Sequence, residues 1–298
     1  MTASPSPPDV RAASRQVGRR GSALLLAPGL AYLLVFLVVP LSLVLVYAFF
    51  ERGRFGGVVP TFTLDNFGRL LEPTFLRVLG ESVLYAGLAT VVALLLGYPT
   101  AYAISQLPPR WRTVALVAVV LPFWTNFLIR TYAWIVLLNR EGLLNSALRQ
   151  LGVTDEPVSL LYTPGAVVVG LVYAYLPLMV LPIYASVERL DRELLEAAAN
   201  LGAGPARRFV SITLPLTLPG VIAGSIFVFV PSLGNFVVPE LLGGGKTILI
   251  GNLIRDQFLK ARDWPFGAAM AFSIVLLLVL LLLVQARVTR RYRTVPDE

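Results

Sequence analysis

The side chains that most enzymes and metal sites draw on are missing from this 298-residue chain, which has no cysteine and no histidine. Disulfides, thiolate or imidazole metal ligation, histidine general bases and thiol nucleophiles are therefore excluded. What remains with chemical potential is sparse. Gly243-Gly244-Gly245-Lys246-Thr247 ends like a phosphate-binding loop, but that motif needs a glycine six positions before its lysine, where this chain has Glu240. A glycine-rich external turn is the better reading. Arg130 is the one charge well inside an apolar stretch, and Asn126 lies one helical turn before it. An ionisable group in such a place is either part of a pathway or an anchor bonded to carbonyls that nearby prolines leave free. Both readings stand for Arg130. One polar run, from Glu188 to Pro215, reads ERLDRELLEAAANLGAGPARRFVSITLP and differs from everything around it.

The elements that position these residues follow from composition. Hydrophobic residues make up 56% of the chain, charged residues only 14%, and the mean hydropathy is +0.75. A soluble domain carries roughly 25% charge, so this chain has too little polar surface for water. Spanning helices need about 20 mostly apolar residues each. Six stretches qualify: 22–50, 82–107, 113–138 (interrupted by Arg130), 164–187, 215–241 and 265–286. The first has 29 residues without a charge, against about 7–15 for the apolar part of a secretion signal. It reads as an uncleaved membrane helix. Residues 1–21, rich in Ser, Pro, Ala and Arg, read as a mobile cytoplasmic tail. Residues 22–286 form the transmembrane domain, and 287–298 a second cytoplasmic tail.

Six spans put both ends on one side. If that side is cytoplasmic, the inner segments carry 14 basic residues in 65 positions and the outer loops 10 in 79. The bias favours both termini inside. It also explains the net charge of +8 without invoking nucleic acid. Prolines 28, 40, 99, 122, 177, 182, 219 and 231 fall within spans and predict bent helices, which neighbouring helices or a cavity must tolerate. Gly220 and Gly224 form a small-xxx-small pair for close helix contact.

The polar run predicts a helix-turn-helix elbow between the fourth and fifth spans. Asp191 caps a helix start, with Glu193 in the first turn. Leu194, Ala198 and Leu201 follow at helical spacing, and Glu193, Glu196 and Asn200 line the opposite face. Gly202 sits where a helix end favours the left-handed conformation. Pro205 permits a second helical start.

Here the sequence resembles the permeases of binding-protein-dependent ATP-binding-cassette importers. Their cytoplasmic signature is EAA, three residues, Gly, nine residues, Ile, one residue, Leu-Pro. This chain has Glu196, Ala197, Ala198, then Gly202, Ile212, Leu214 and Pro215 at those spacings. The segments 121–134, 170–191, 236–246 and 263–269 are similar to spermidine/putrescine permeases, and the similarity covers most of residues 25–286. The resemblance implies an all-α integral membrane protein of the bacterial inner membrane, with the elbow acting as a coupling loop on an ATPase. It implies two ATPase subunits, which use the ATP. It also implies a second permease subunit, expected to be a different chain, and an extracytoplasmic solute-binding protein. No cofactor is expected on this chain, and it makes and breaks no covalent bond. Polyamine is the implied substrate; related permeases carry sulfate, thiamine, phosphonates or ferric iron. Trp124, Asn126, Arg130, Tyr175, Phe236 and Glu240 are then candidate pathway residues. Glu81, Tyr173 and Phe229 fit the same chemistry, since carboxylates and aromatic faces suit ammonium groups. Aromatics near span ends also serve as interfacial belts. A secondary transporter would show ion-coupling acids near the bilayer midplane or an inverted repeat, and neither is visible.

Overall fold

A computed structural model describes residues 26–292. The tail 1–21 lies outside the described residues, and so does 293–298 of the second tail. In chain order the elements are α1 (Leu26–Tyr47), a hairpin of β1 (Phe50–Arg52) and β2 (Val58–Phe62), α2 (Asp65–Arg69), α3 (Pro73–Gln106) and α4 (Pro109–Val120). Next come a 3₁₀ turn (Leu121–Trp124), α5 (Phe127–Leu138), α6 (Leu143–Gln150) and α7 (Pro164–Glu188). The last are α8 (Arg192–Asn200), α9 (Pro205–Arg208), α10 (Leu214–Leu233), α11 (Val237–Gly243), α12 (Ile250–Leu259) and α13 (Trp264–Tyr292).

Five helices among the described residues are long and apolar enough to cross a membrane, or up to six if one bent pair counts as a single span. Three of them, those containing α3, α7 and α10, pack together as the core. Glycines allow the backbones to approach. A Cβ on Gly97 of α3 would stand 2.8 Å from Met179 Cγ of α7, and one on Gly224 of α10 would stand 3.0 Å from the Met179 carbonyl. A Cβ on Gly220 would stand 2.6 Å from the Pro182 carbonyl. The Gly220/Gly224 pair is thus the contact face expected of it. Met179, Val180 and Ile183 are fully buried there. The outward faces of α1, α3 and α13 keep their Leu, Val and Phe side chains exposed. In water that exposure would drive aggregation; beside lipid tails it costs nothing.

Four expected boundaries are corrected. The first stretch ends its helix at Tyr47 rather than 50, because Asn66 Nδ2 donates to the Ala48 and Phe50 carbonyls and turns the chain into β1. The second helix begins at Pro73, nine residues early. Arg77 and Glu81, which ended the apolar count, pair at 2.9 Å one turn apart on the exposed face and keep the helix going. The third stretch is not one straight span. It breaks between Trp124 and Phe127, and the two sides are bent by 92°. Pro122 has no N–H to continue the α ladder, and Asn126 caps the new helix by accepting from the Leu128 and Ile129 amides. The fifth stretch also starts earlier and stops sooner. It runs from Pro205 to Leu233, and Gly234 to Phe236 separate it from α11. A continuous helix would need an N–H at Pro239, and Asn235 Oδ1 instead caps α11 through the Val238 amide.

Two π-helical stretches, Leu34–Val38 and Phe209–Thr213, each end two residues before a proline, Pro40 and Pro215. The missing amide in the ladder is a physical reason for widening the turn just ahead of it.

Candidate functional site

The elbow forms as its sequence dictates. Asp191 Oδ1 accepts from the Glu193 amide at 2.9 Å and starts α8. At the other end Gly202 has φ +81°. Its amide donates to the Ala199 carbonyl and the Ala203 amide to the Ala198 carbonyl, both at 2.9 Å. This pair of reversed bonds is the Schellman closure, which needs a residue in the left-handed region. Gly204 and Pro205 then open α9, which passes through the π stretch into α10. The second arm of the elbow is therefore continuous with a membrane helix, a finer point than two short helices.

The amphipathic register of α8 differs from expectation. Leu195 and Ala198 face the body of the protein, while Leu194 and Leu201 point outward, with Leu201 89% exposed. The outward surface of the elbow thus combines Leu194, Ala197 and Leu201 with Glu193. Behind the elbow lies a polar cleft of about 560 Å3, reached by Glu196, Arg192, Glu188, Arg112 and Tyr102. Arg112 ties its walls together. It pairs with Glu188 at 3.0 Å and donates to the Ser105 carbonyl at 3.2 Å. Ile212 and Leu214 are half-buried and Pro215 is exposed, so the end of the signature is the hinge where the elbow becomes a span.

Three residues not singled out from sequence connect the elbow to the core. Phe209 meets Tyr98 of α3 edge-on at 5.5 Å, and the Tyr98 hydroxyl lies 2.9 Å from buried Thr217 Oγ1 of α10. Tyr98 and Thr217 are polar groups inside apolar stretches, which is the signal that marks them, but only the fold brings them together.

The opposite ends of the spans hold a second constellation. Asn235, between α10 and α11, donates to the Tyr175 hydroxyl at 2.7 Å. Asn252 donates to the Phe236 carbonyl at 2.9 Å and to Glu240 Oε2 at 3.1 Å. Arg255 bonds Glu240 at 2.9 Å and Asp256 at 2.7 Å, and its guanidinium lies 5.5 Å from the Phe236 ring centre. Hydrogen bonding to Asp256, and then to Glu240, holds the Arg255 guanidinium above its usual range against the effect of burial. Burial pushes the Asp256 carboxyl up, but hydrogen bonds from Lys260 and Arg255 outweigh it and hold the group below the usual carboxylate range. Of the expected pathway residues, the structure brings Tyr175, Phe236 and Glu240 together. Glu240 is already paired. Trp124 stands apart and 77% exposed, Asn126 is spent as a helix cap, and Arg130 packs against α7 between aromatic rings. Glu81 is paired with Arg77. Phe229 packs into an apolar cluster.

Gly243 to Thr247 closes α11 rather than opening a helix onto a phosphate. Gly244, at φ +59°, is its left-handed cap, and Tyr162 lies against it. Among the described residues no group of three or more acidic side chains is placed to hold a metal ion.

Residues 92–294 match the model of the binding-protein-dependent transport system inner membrane component family. The chain belongs to that family. The spermidine/putrescine transport system permease protein PotB of Escherichia coli (strain K12) is 45% identical over 259 residues, 87% of this chain and 94% of that protein. Its namesake in Haemophilus influenzae is 42% identical over 260 residues, covering 87% of this chain and 91% of its own. A crystal structure of a bacterial importer of the acidic polysaccharide alginate superposes with a TM-score of 0.75 at 18% identity, covering 94% of this chain and 100% of that one. At that identity the likeness speaks for the fold. Matching relatives are transport permeases, and the family description places its members in the inner membrane.

Proposed function

We propose that this chain is one permease subunit of an ATP-driven polyamine importer. The observation that carries the coupling role is the elbow: a capped helix, a glycine closure and a second arm continuous with a core span. An outward surface of small and apolar side chains seats in a cleft of an ATPase subunit. Motion there passes through Phe209, Tyr98 and Thr217 into α3 and α10. The polyamine assignment rests on the 45% identity to PotB across most of both chains. The assembly has two ATPase subunits, a second permease of a different sequence, and an extracytoplasmic binding protein. Both termini face the cytoplasm, as the basic-residue bias supports, and six spans result when α4 to α6 count as one broken span. Hydrolysis belongs to the ATPase subunits. Phe236, Glu240 and Tyr175 flank the outer mouth, where carboxylate and aromatic faces suit an ammonium group. Trp124 and Asn126 lie apart from this group, at the bend, where Asn126 caps α5. Arg130, carrying the same charge as a polyamine, lies outside the path.

The test is reconstitution of the complex with its binding protein. ATP-dependent spermidine or putrescine uptake is expected, and an imposed ion gradient without ATP should drive none. Uptake of sulfate, thiamine or iron with spermidine ignored would overturn the substrate assignment. Reporter fusions at both ends check the topology; an end that labels from outside would overturn it.

A further inference from the structure

Arg130 is 8% exposed and stands in a chain that crosses a membrane. Its guanidinium has five N–H donors. Among the described residues it finds one acceptor, the Pro122 carbonyl at 2.8 Å, and no carboxylate pairs with it. The rings of Phe123, Phe127 and Tyr173 surround it at 5.6 to 5.7 Å. Cation–π attraction offsets part of the desolvation, but it uses no N–H. A buried charge without a counterion is costly and calls for an anion.

Tyr173 also lines an open groove of about 730 Å3 between α3, α5 and α7. Leu84, Leu88, Val92, Trp134 and Val169 form much of its wall, and its lining is almost wholly apolar. Trp134 meets Tyr173 edge-on at 5.3 Å in the groove wall, and the Tyr173 ring is the one that the groove and the cation share. Tyr173 lies nine residues into α7, about 14 Å along the axis. Its side chain leans back toward the Pro164 end of the helix, as helical side chains do. Tyr173 thus lies nearer the middle of α7 than its Pro164 end, and it borders both the guanidinium and the apolar groove.

We propose that Arg130 and this groove together form a binding site for one phospholipid. The phosphate diester takes the free guanidinium donors, and an acyl chain occupies the groove. The charge complementarity is specific: a guanidinium fork matches two phosphate oxygens, and the lipid supplies the counterion that the described residues do not. A hydrocarbon chain is the natural occupant of an apolar groove open to the bilayer.

The experiment is native mass spectrometry of the full chain in detergent, titrated with phosphatidylglycerol or with diacylglycerol, which lacks the phosphate. Wild-type protein should bind one phosphatidylglycerol at least about tenfold more tightly than diacylglycerol. Arg130→Gln should remove that preference, and Arg130→Lys should keep part of it. Gly165→Leu fills the groove mouth, where an added Cβ would meet only Thr163 Oγ1 at 3.8 Å, and it should weaken both lipids. Equal binding of the two lipids by wild-type protein, a reading that needs no variant, would overturn the proposal. So would competition by inorganic phosphate with Gly165→Leu behaving as wild type, which would make this a free-anion site. Loss of the bound lipid on assembly with the second permease would show the groove to be a subunit interface and overturn it equally.

Discussion

Gly202→Val is the perturbation whose outcome the elbow fixes most closely. An added Cβ at Gly202 meets nothing within 4 Å, so the substitution has no steric neighbour to displace. The whole cost is conformational. Gly202 sits at φ +81° to make the two reversed bonds that end α8, and a β-branched residue in that region costs roughly 1–3 kcal/mol. That is a factor of about 5 to 150 against the closed elbow at 25 °C. The displaced ends are Leu201 and Ala203, so the outward surface carrying Leu194 and Leu201 turns away from its partner. Asparagine tolerates the left-handed region far better. Gly202→Asn should therefore retain most function where Gly202→Val loses it. Membrane abundance, co-purification of the ATPase and ATP-driven uptake would be measured together. The expected pattern for Gly202→Val is normal abundance, weakened co-purification and uptake reduced at least about fivefold. Normal uptake by Gly202→Val would refute the reasoning. So would Gly202→Asn failing as badly, because the defect would then not lie in backbone handedness.

Gly224→Leu should act quite differently. It forces a branched side chain against the Met179 backbone in the α7–α10 contact and should destabilise the helix core by about 1–3 kcal/mol or more; a melting temperature in detergent lowered by less than about 2 °C, the shift expected of about 1 kcal/mol, would contradict this. Asp256 gives a pH signature. Its folded carboxyl lies below the ordinary value, so its contribution to stability is present above about pH 4 and is lost as pH falls through the lowered folded value. Asp256→Asn should therefore lower the melting temperature at neutral pH and flatten its decline in acid, and an unchanged acid profile in the variant would refute the pairing.

The membrane character, the approximate positions of the apolar stretches and the residues that open and close α8 were legible in the residues. Those features are local. A long apolar run must leave water wherever it lies, Asp191 caps the helix that follows it, and Gly202 answers to the φ of its own backbone. The break at Trp124–Phe127 was half legible, because Pro122 warned of a bend, but Asn126 had to be seen capping a new helix; the break at Gly234–Phe236, with Asn235 capping α11, was not foreseen. The inward face of α8 was misjudged by one residue, since Leu194 and Leu195 are equally apolar and only the position of α3 and α9 decides which is covered. Tertiary structure alone paired Glu240 with Arg255, 15 positions away, and Tyr98 with Thr217, 119 away. It alone placed Arg130 among three rings, with no carboxylate partner among the described residues. Pairings at such separations depend on which helices pack together, and Gly97, Gly220 and Gly224 settle that by how closely they let the backbones come.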